Sequence, residues 1–231
     1  MRRKVTNILL EVWIGVMVLL VGLFPGIASC VGEPHPLSWG DVETRKVEGR
    51  GFSKIVSSGV WEIRVVKGDE WSVEVEAPER LFEYLEVKER GDILSLGWRG
   101  RVTMWGNVPT PVARITVPSL RSVELSGACE LTFRGLVEDR FSLEVSGAAD
   151  VVGKEAAFGE LELEVSGAGR VDLYEVEVEE AEVEISGAAH VTLWVTERLL
   201  GSVSGVGSLR YRGNPSEVDV DVSGAGSVAP F

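Results

Sequence analysis

The chain has 231 residues, of which 45% are hydrophobic and 26% charged, and its formal net charge is −13 at pH 7. This length leaves room for one large or two small domains. A strongly acidic surface repels phosphate backbones, which argues against nucleic acid as a partner. Only two cysteines and two histidines are present, too few for a disulfide framework or a histidine-based zinc site.

The first 29 residues are predicted to be a signal peptide. A basic cluster, Arg2 to Lys4, precedes an apolar run from Val12 to Phe24. As a helix this run would span about 20 Å, which is short for a bilayer core of about 30 Å but suits an export signal. Ile27-Ala28-Ser29-Cys30 is similar to a lipoprotein processing site, so Cys30 is a candidate lipid attachment point. Cleavage nearby without a lipid, or retention of the segment as an anchor, stays open.

Residues 30–46 contain several glycines and prolines without periodicity and are predicted to be a tether. Residues 47–231 form the predicted head domain, and without residues 1–29, which hold three cations and one anion, the chain carries −15. Val60–Val65 and Trp71–Ala77 alternate apolar and polar residues around a turn. They predict either a hairpin or a pair of solenoid strands.

The segment Gly97–Pro111 is the longest irregular stretch of the predicted head domain. It contains Trp98 and Trp105, and long loops in compact domains are often functional. Exposed indoles could stack on sugar rings or anchor a partner. The alternative is that they cap an open end of the fold, which must be covered to prevent edge-to-edge growth.

The second half of the chain is a repeat. Ser-Gly followed by a small residue recurs at steps of 20, 20, 20, 18 and 19 residues, starting at Ser126, Ser146, Ser166, Ser186, Ser204 and Ser223. Alternating valine and acidic residues between these blocks predict strands with one buried face and one solvent-exposed face. The sequence therefore predicts an all-β fold, a parallel β-solenoid of right-handed, β-helix-like form. A sandwich of hairpins is the alternative, because alternation alone does not exclude antiparallel pairing.

Stacking the repeats places equivalent residues above one another at about 4.8 Å. Cys129 then shares a row with Ala149 and Gly169, which predicts a small core residue rather than a reactive thiol. An outward row at the corners is predicted to contain Glu130, Asp150, Arg170, His190, Ser208 and Ser227. This row could form a lateral binding strip for a sugar or a protein, or its variety could reflect a turn that tolerates any residue.

Three sequence features together resemble the head GIN domain family of autotransporter adhesins. They are Phe52-Ser53-Lys54-Ile55, the segment Ile115-Thr116-Val117-Pro118-Ser119-Leu120, and the Ser-Gly-Ala-Gly blocks. The resemblance covers about Val47 to Val228. It implies an exported protein with a β-helix-like stack and an adhesive role, and it implies no catalytic residues.

The residues themselves do not predict an enzyme. Asp150 and His190 should lie two coils apart, about 9.6 Å at the usual strand spacing, which is beyond the reach of a catalytic triad. The six repeated serines suit a structural role at the turn. No cofactor is predicted. Calcium stays open because acidic residues are abundant, although the Gly-Gly-x-Gly-x-Asp nonapeptide of calcium-binding β-rolls is absent.

We therefore expect a non-enzymatic envelope protein, at the cell surface or in a periplasm-like space, that is membrane-anchored through its N-terminus. Its expected function is adhesion or surface recognition of an envelope protein or glycan. The candidate recognition residues are Trp98, Trp105, Asp150, Arg170 and His190. The alternative function is a structural or signalling-associated envelope protein that acts as a rigid acidic spacer without an external ligand.

Overall fold

The structure is a computed structural model that describes residues 39–100 and 108–231. The predicted signal peptide, Cys30 and Trp105 lie outside these residues. Within the described ranges no helix is long and apolar enough to cross a membrane. The described elements are a 3-10 helix (Glu79–Glu83) and the strands β1 (Val42–Val47), β2 (Lys54–Lys67), β3 (Ser72–Pro78), β4 (Leu85–Arg90), β5 (Ile93–Trp98), β6 (Val112–Val117), β7 (Ser122–Arg134), β8 (Val137–Val145), β9 (Ala148–Val165), β10 (Ala168–Ile185), β11 (Ala188–Gly205), β12 (Ser208–Arg212), β13 (Glu217–Gly224) and β14 (Ser227–Pro230).

The strands from β7 onwards form a parallel stack in which each repeat pairs with the next. Val183 of β10 lies opposite Leu163 of β9, one repeat earlier in the sequence. Ile185 lies opposite Val203 of β11, where the repeat is two residues shorter. Together with the layers formed by β2, β5 and β6, the stack makes about five turns. The predicted all-β parallel β-solenoid is confirmed.

The core is a set of inward rows that run along the stack. Val145, Val165 and Ile185 stand opposite one another in successive strands and are each 1% exposed. Branched side chains suit this position because they favour extended backbone and fill the space between layers. Burying each contributes about 1.5–3 kcal/mol relative to exposure. The alternation of valine with charged residues therefore places the apolar side of every strand inside.

The N-terminal end of the stack departs from the simple repeat. Strand β6 pairs in parallel with β2 on one edge and antiparallel with β3 on the other, so β2 and β3 are not neighbours and form no hairpin. Strand β1 pairs antiparallel with β3, and β4 with β5. Residues 42–46, which the sequence assigned to the tether, are part of β1. These antiparallel strands cover the first layer of the solenoid and remove an open parallel edge.

The Ser-Gly corners are held by close backbone contact. A Cβ built on Gly167 would lie 1.9 Å from the carbonyl oxygen of Gly147, and one on Gly187 would lie 1.9 Å from that of Gly167. Neither Gly167 nor Gly187 has a positive φ, whereas Gly127 and Gly205 do. The repeated glycine is therefore required mainly because successive corners touch, and only at some corners because of the backbone angle.

At three of the corners the serine before the glycine donates a hydrogen bond from its hydroxyl group to the backbone of the preceding layer. Ser126 Oγ donates to the carbonyl oxygen of Ser57 at 3.0 Å, and Ser146 Oγ donates to that of Leu125 at 3.4 Å. Ser204 repeats the contact with Ile185 at 3.4 Å. The predicted structural role of the repeated serines is confirmed at these corners.

Candidate functional site

Two outward surfaces flank the Ser-Gly corners, and they differ in charge. We call the surface before the corners the acidic face. It contains one row of four glutamates in successive strands, Glu124, Glu144, Glu164 and Glu184. Beside this row, Glu162 stands opposite Glu182. Arg140 and Arg198 form ion pairs with Glu160 and Glu180 at its margin.

Stacked carboxylates raise the question of a cation site. Between residues 39 and 231, leaving out the segment 101–107, no group of three or more His, Cys, Asp or Glu side chains could hold a metal ion. Carboxylates in a β row all project outward in parallel, whereas calcium needs six to eight oxygens that converge on one point. The acidic face is therefore a charged surface without a formed coordination site.

We call the surface after the corners the mixed face, because its outward residues include acidic, basic and neutral side chains. The register places the predicted corner row in consecutive strands and confirms its alignment: Glu130, Asp150, Arg170, His190, Ser208 and Ser227. Along this row the charge changes from acidic at the N-terminal end to basic and neutral at the C-terminal end. All members except Ser208 are exposed.

The three predicted recognition residues of this row are neighbours. Asp150, Arg170 and His190 lie on adjacent strands, about 4.8 Å apart along the stack. Arg170 makes no ion pair with any described residue, so its guanidinium group is available to a partner. His190 Nδ1 lies 2.6 Å from Ser208 Oγ. Arg170 also separates Asp150 from His190, so this acid and this histidine do not form a hydrogen-bonded pair.

The mixed face also contains a group of residues that the sequence analysis missed. We call it the arginine–aromatic cluster, and it consists of Tyr174, Trp194, Arg210, Arg212 and Phe231. The Arg212 guanidinium lies 4.1 Å from the centre of the Tyr174 ring and 4.0 Å from that of Trp194. Arg210 lies 4.2 Å from the Phe231 ring, which meets Tyr174 edge-on at 5.3 Å. The available signal was the 18-residue step that aligns Trp194 with Arg212.

Trp98 lies at the opposite end of the stack from this cluster. Its ring centre is 6.4 Å from that of buried Trp61, and its indole covers Gly59, where an added Cβ would lie 2.4 Å from Trp98 Cδ1. The side chain is half-buried against the core. It also borders a groove of about 310 Å³ with Lys88 and Arg90. Trp98 therefore has the capping position that was one of its two predicted roles: it covers Gly59, the partner of Gly127 in the first layer, at the end of the stack away from Arg170 and His190.

Cys129 is a buried core residue, as predicted. It shares an inward row with Ala149 and Gly169 and is 3% exposed. Burial raises the pKa of its thiol, and the hydrogen bond with Ser57 Oγ, at 3.5 Å, only partly opposes this effect. A thiol held in the neutral form inside the solenoid is a poor nucleophile.

The geometry described above identifies the class of protein to which this chain belongs. It is a β-solenoid repeat protein, a stack of parallel strands that exposes long lateral rows of side chains. A family model described as "Putative auto-transporter adhesin, head GIN domain" matches residues 51–169 and 155–215. The chain belongs to this family.

Solved structures similar to this chain share its fold. A putative adhesin from Bacteroides fragilis is 19% identical with a TM-score of 0.66, and the match covers 83% of this chain and 97% of that one. One from Parabacteroides merdae is 18% identical with a TM-score of 0.52 and the same coverage. One from Parabacteroides distasonis is 17% identical with a TM-score of 0.54, covering 83% and 98%. No curated protein matches the chain at a significant level.

Proposed function

We propose that this protein is an exported, non-enzymatic adhesin that recognises a component of a cell envelope through its mixed face. The observation on which this rests is the aligned, exposed row that contains Asp150, Arg170 and His190. A row of different polar groups offers both donors and acceptors to a partner, whereas a row of ionised carboxylates offers acceptors only. The family and the similar structures, named as adhesins, support the same function.

We also propose that the protein is exported and anchored at a membrane surface. The N-terminal sequence is that of an export signal followed by a candidate lipid attachment at Cys30. A lipid on Cys30 would hold the head at a membrane surface. Protease treatment of intact cells, followed by mass spectrometry, tests this. Released peptides from residues 120–228 and a lipid mass on Cys30 are expected, and complete protection would contradict an external position.

Binding is tested with a matched pair of triple variants in the mature protein. One replaces Asp150, Arg170 and His190 by alanine on the mixed face. The other replaces Glu144, Glu164 and Glu184, which lie in the same three layers on the acidic face. The assay measures retention on immobilised envelope extracts and glycans.

We expect the mixed-face variant to lose at least about tenfold in affinity, because polar contacts to charged groups contribute about 1.5–3 kcal/mol each. The acidic-face variant should bind as the unmodified protein does. Equal losses in both variants would contradict a specific role of the mixed face. Absence of any retention by the unmodified protein would favour the alternative, a rigid acidic spacer without an external ligand.

A further inference from the structure

The arginine–aromatic cluster contains a guanidinium group that is held by aromatic rings but has no anionic partner among the described residues. The Arg212 guanidinium packs against two aromatic rings, 4.1 Å from the centre of Tyr174 and 4.0 Å from that of Trp194, and these contacts restrict its position. Arg210 lies two residues earlier on the same strand and therefore projects from the same face. Both arginines thus belong to the outward surface at the C-terminal end of the mixed face.

Neither arginine is neutralised by the described part of the protein. Arg210 and Arg212 form no ion pair there, whereas other arginines do so with nearby glutamates, namely Arg45, Arg64, Arg114, Arg134, Arg140 and Arg198. The Nε atom of Arg212 is shielded from solvent and has no hydrogen-bond partner among the described residues. The stacking has therefore already removed part of the water around this cation, which strengthens its attraction to an incoming anion.

Stacking also lowers the cost of binding. A free arginine side chain loses about 1.5–2 kcal/mol of conformational freedom when it is fixed, but the two rings already hold Arg212 before a ligand arrives. A planar guanidinium edge fits a carboxylate group through two parallel hydrogen bonds. Hydroxyl groups lie nearby, since Thr192 stands beside Arg210 and Ser208 precedes it on the same strand. The surface therefore combines a carboxylate site with donors and acceptors suited to sugar hydroxyls.

The charge of the whole molecule restricts the ligand further. At a net charge of −13, a polyanion would be repelled over most of its length. A single carboxylate on an otherwise neutral saccharide would meet only the local field of the two arginines. The carboxylate of Asp172, two strands from Arg210 in the same row, already accepts the backbone N–H of Tyr174 at 3.1 Å.

We propose that the arginine–aromatic cluster binds the carboxylate of an acidic sugar unit in an otherwise neutral saccharide. This inference rests on the proposed function, because it names the ligand class recognised on the same mixed face. Arg212 holds the carboxylate, Arg210 adds a second positive charge, and Tyr174 and Trp194 position the Arg212 guanidinium.

The probe is a matched pair of ligands that differ at one group, methyl glucuronide and methyl glucoside, titrated into the mature protein by calorimetry. We expect the glucuronide to bind at least about tenfold more tightly, since charge-assisted hydrogen bonds are about twice as strong as neutral ones. Higher salt should weaken the glucuronide complex. Fluorescence of Trp194, isolated by comparison with Trp194→Phe, should change with the glucuronide only.

The variants are Arg212→Lys and, as a matched control, Arg134→Lys. Arg134 has the corresponding outward position in β7 but is paired with Glu155. Lysine keeps the charge and loses the planar fork, so Arg212→Lys should weaken glucuronide binding by about tenfold while Arg134→Lys has no effect. Thermal unfolding of both variants verifies that they are folded.

Equal binding of the two sugars, or none, would overturn the inference even if Arg212→Lys failed to fold, because that comparison uses the unmodified protein. A short peptide with a free C-terminal carboxylate that bound as tightly as the glucuronide would also overturn it, since the saccharide would then contribute nothing. The envelope-retention assay distinguishes a failure of the proposed ligand class from a failure of the proposed function. Retention that depends on Arg170 without glucuronide binding would leave the proposed function standing and remove only the ligand class.

Discussion

Replacing Gly167 by alanine tests why glycine recurs at the corners. At an ordinary negative φ, glycine to alanine stabilises a protein by about 0.4–1 kcal/mol, because the unfolded chain loses freedom. Gly167 has no positive φ, so this effect alone predicts a more stable variant. The structure predicts the opposite, because the new Cβ would lie 1.9 Å from the carbonyl oxygen of Gly147, where ordinary contact begins at 3.4 Å.

The size of the effect follows from the movement that this contact requires. The two corners must separate by about 1.5 Å, the difference between the two distances. The hydrogen bond from Ala168 N to Gly147 O is 3.0 Å long, and that from Ser166 N to Val145 O is 2.9 Å, so neither survives such a shift. Two lost bonds at about 1 kcal/mol each and about 1–3 kcal/mol of overpacking lower the free energy of unfolding by about 3–5 kcal/mol. The melting temperature should fall by roughly 6–20 °C.

The assay is urea denaturation of the mature protein, followed by circular dichroism and tryptophan fluorescence. The matched control is Gly97→Ala, another glycine in a strand without a positive φ. There the nearest atom to an added Cβ is Ser58 Oγ at 3.2 Å, and this hydroxyl can rotate away. We expect the control to stay within about 1 kcal/mol of the unmodified protein. An unchanged or increased stability of Gly167→Ala would refute the close-contact explanation.

Three further predictions concern single side chains. Trp98→Ala should lower the free energy of unfolding by about 1–3 kcal/mol without altering retention on envelope extracts, because Trp98 covers Gly59; lost retention in a folded variant would contradict capping. Cys129 should react with iodoacetamide at pH 8 only on unfolding, because burial raises its thiol pKa; mass spectrometry measures the rate, and rapid native labelling would contradict burial. The Arg134 side chain holds the pKa of Glu155 below its usual value, so Arg134→Gln should raise that pKa in an NMR titration, and an unchanged value would contradict the ion pair.

The direction of the pKa shift of Glu155 also determines how its ion pair with Arg134 contributes to folding stability as the pH changes. A carboxyl group whose folded-state pKa is lowered contributes stability above its unfolded pKa and loses it as the pH falls through the folded value. Both partners are exposed, so the contribution is screened by solvent and salt. Any acid destabilisation from this pair should therefore disappear in Arg134→Gln and shrink as salt is added.

The repeated half of the fold could be predicted from the sequence because the length of each repeat directly sets which residues of neighbouring strands pair. A 20-residue step places Glu164 opposite Glu144 whatever the details of the turn. The same arithmetic predicted the corner row and the inward row that contains Cys129. Periodicity fixes which residues meet when each strand pairs with the next repeat in the chain.

The N-terminal end could not be predicted in this way, because its strands do not follow chain order. Strand β6 lies between β2 and β3, so residues far apart in sequence, such as Ile63 and Ala113, become partners. Strand β1 contains exposed charged residues in the segment that looked like a tether. Alternation shows that a strand exists, but only tertiary pairing decides which edge it covers.

The cluster around Arg212 was missed for a related reason. Four of its members lie in strands β10, β11 and β12, and Phe231 follows β14. They meet because successive repeats are stacked in register. In the sequence, Trp194 and Arg212 are ordinary residues of two separate strands. Aligning the outward-facing positions of successive repeats, as was done for the corner serines, would have shown that Trp194 and Arg212 are neighbours.

The charged residues of β13, at the C-terminal end of the acidic face, have an explanation that does not require a ligand. In the described structure β13 pairs only with β11, and its Val218 and Val222 are 43% and 47% exposed at the open end of the core. Asp221 of this edge strand lies in the same outward row as Glu184, with Ser202 of β11 between them. Charge on an edge strand opposes pairing with another chain, and Pro230 in β14 removes a backbone donor. The charged residues of β13 thus oppose further pairing at this end of the solenoid, whereas Arg170, Arg210 and Arg212 on the mixed face form no ion pair with any described residue and are available to a partner.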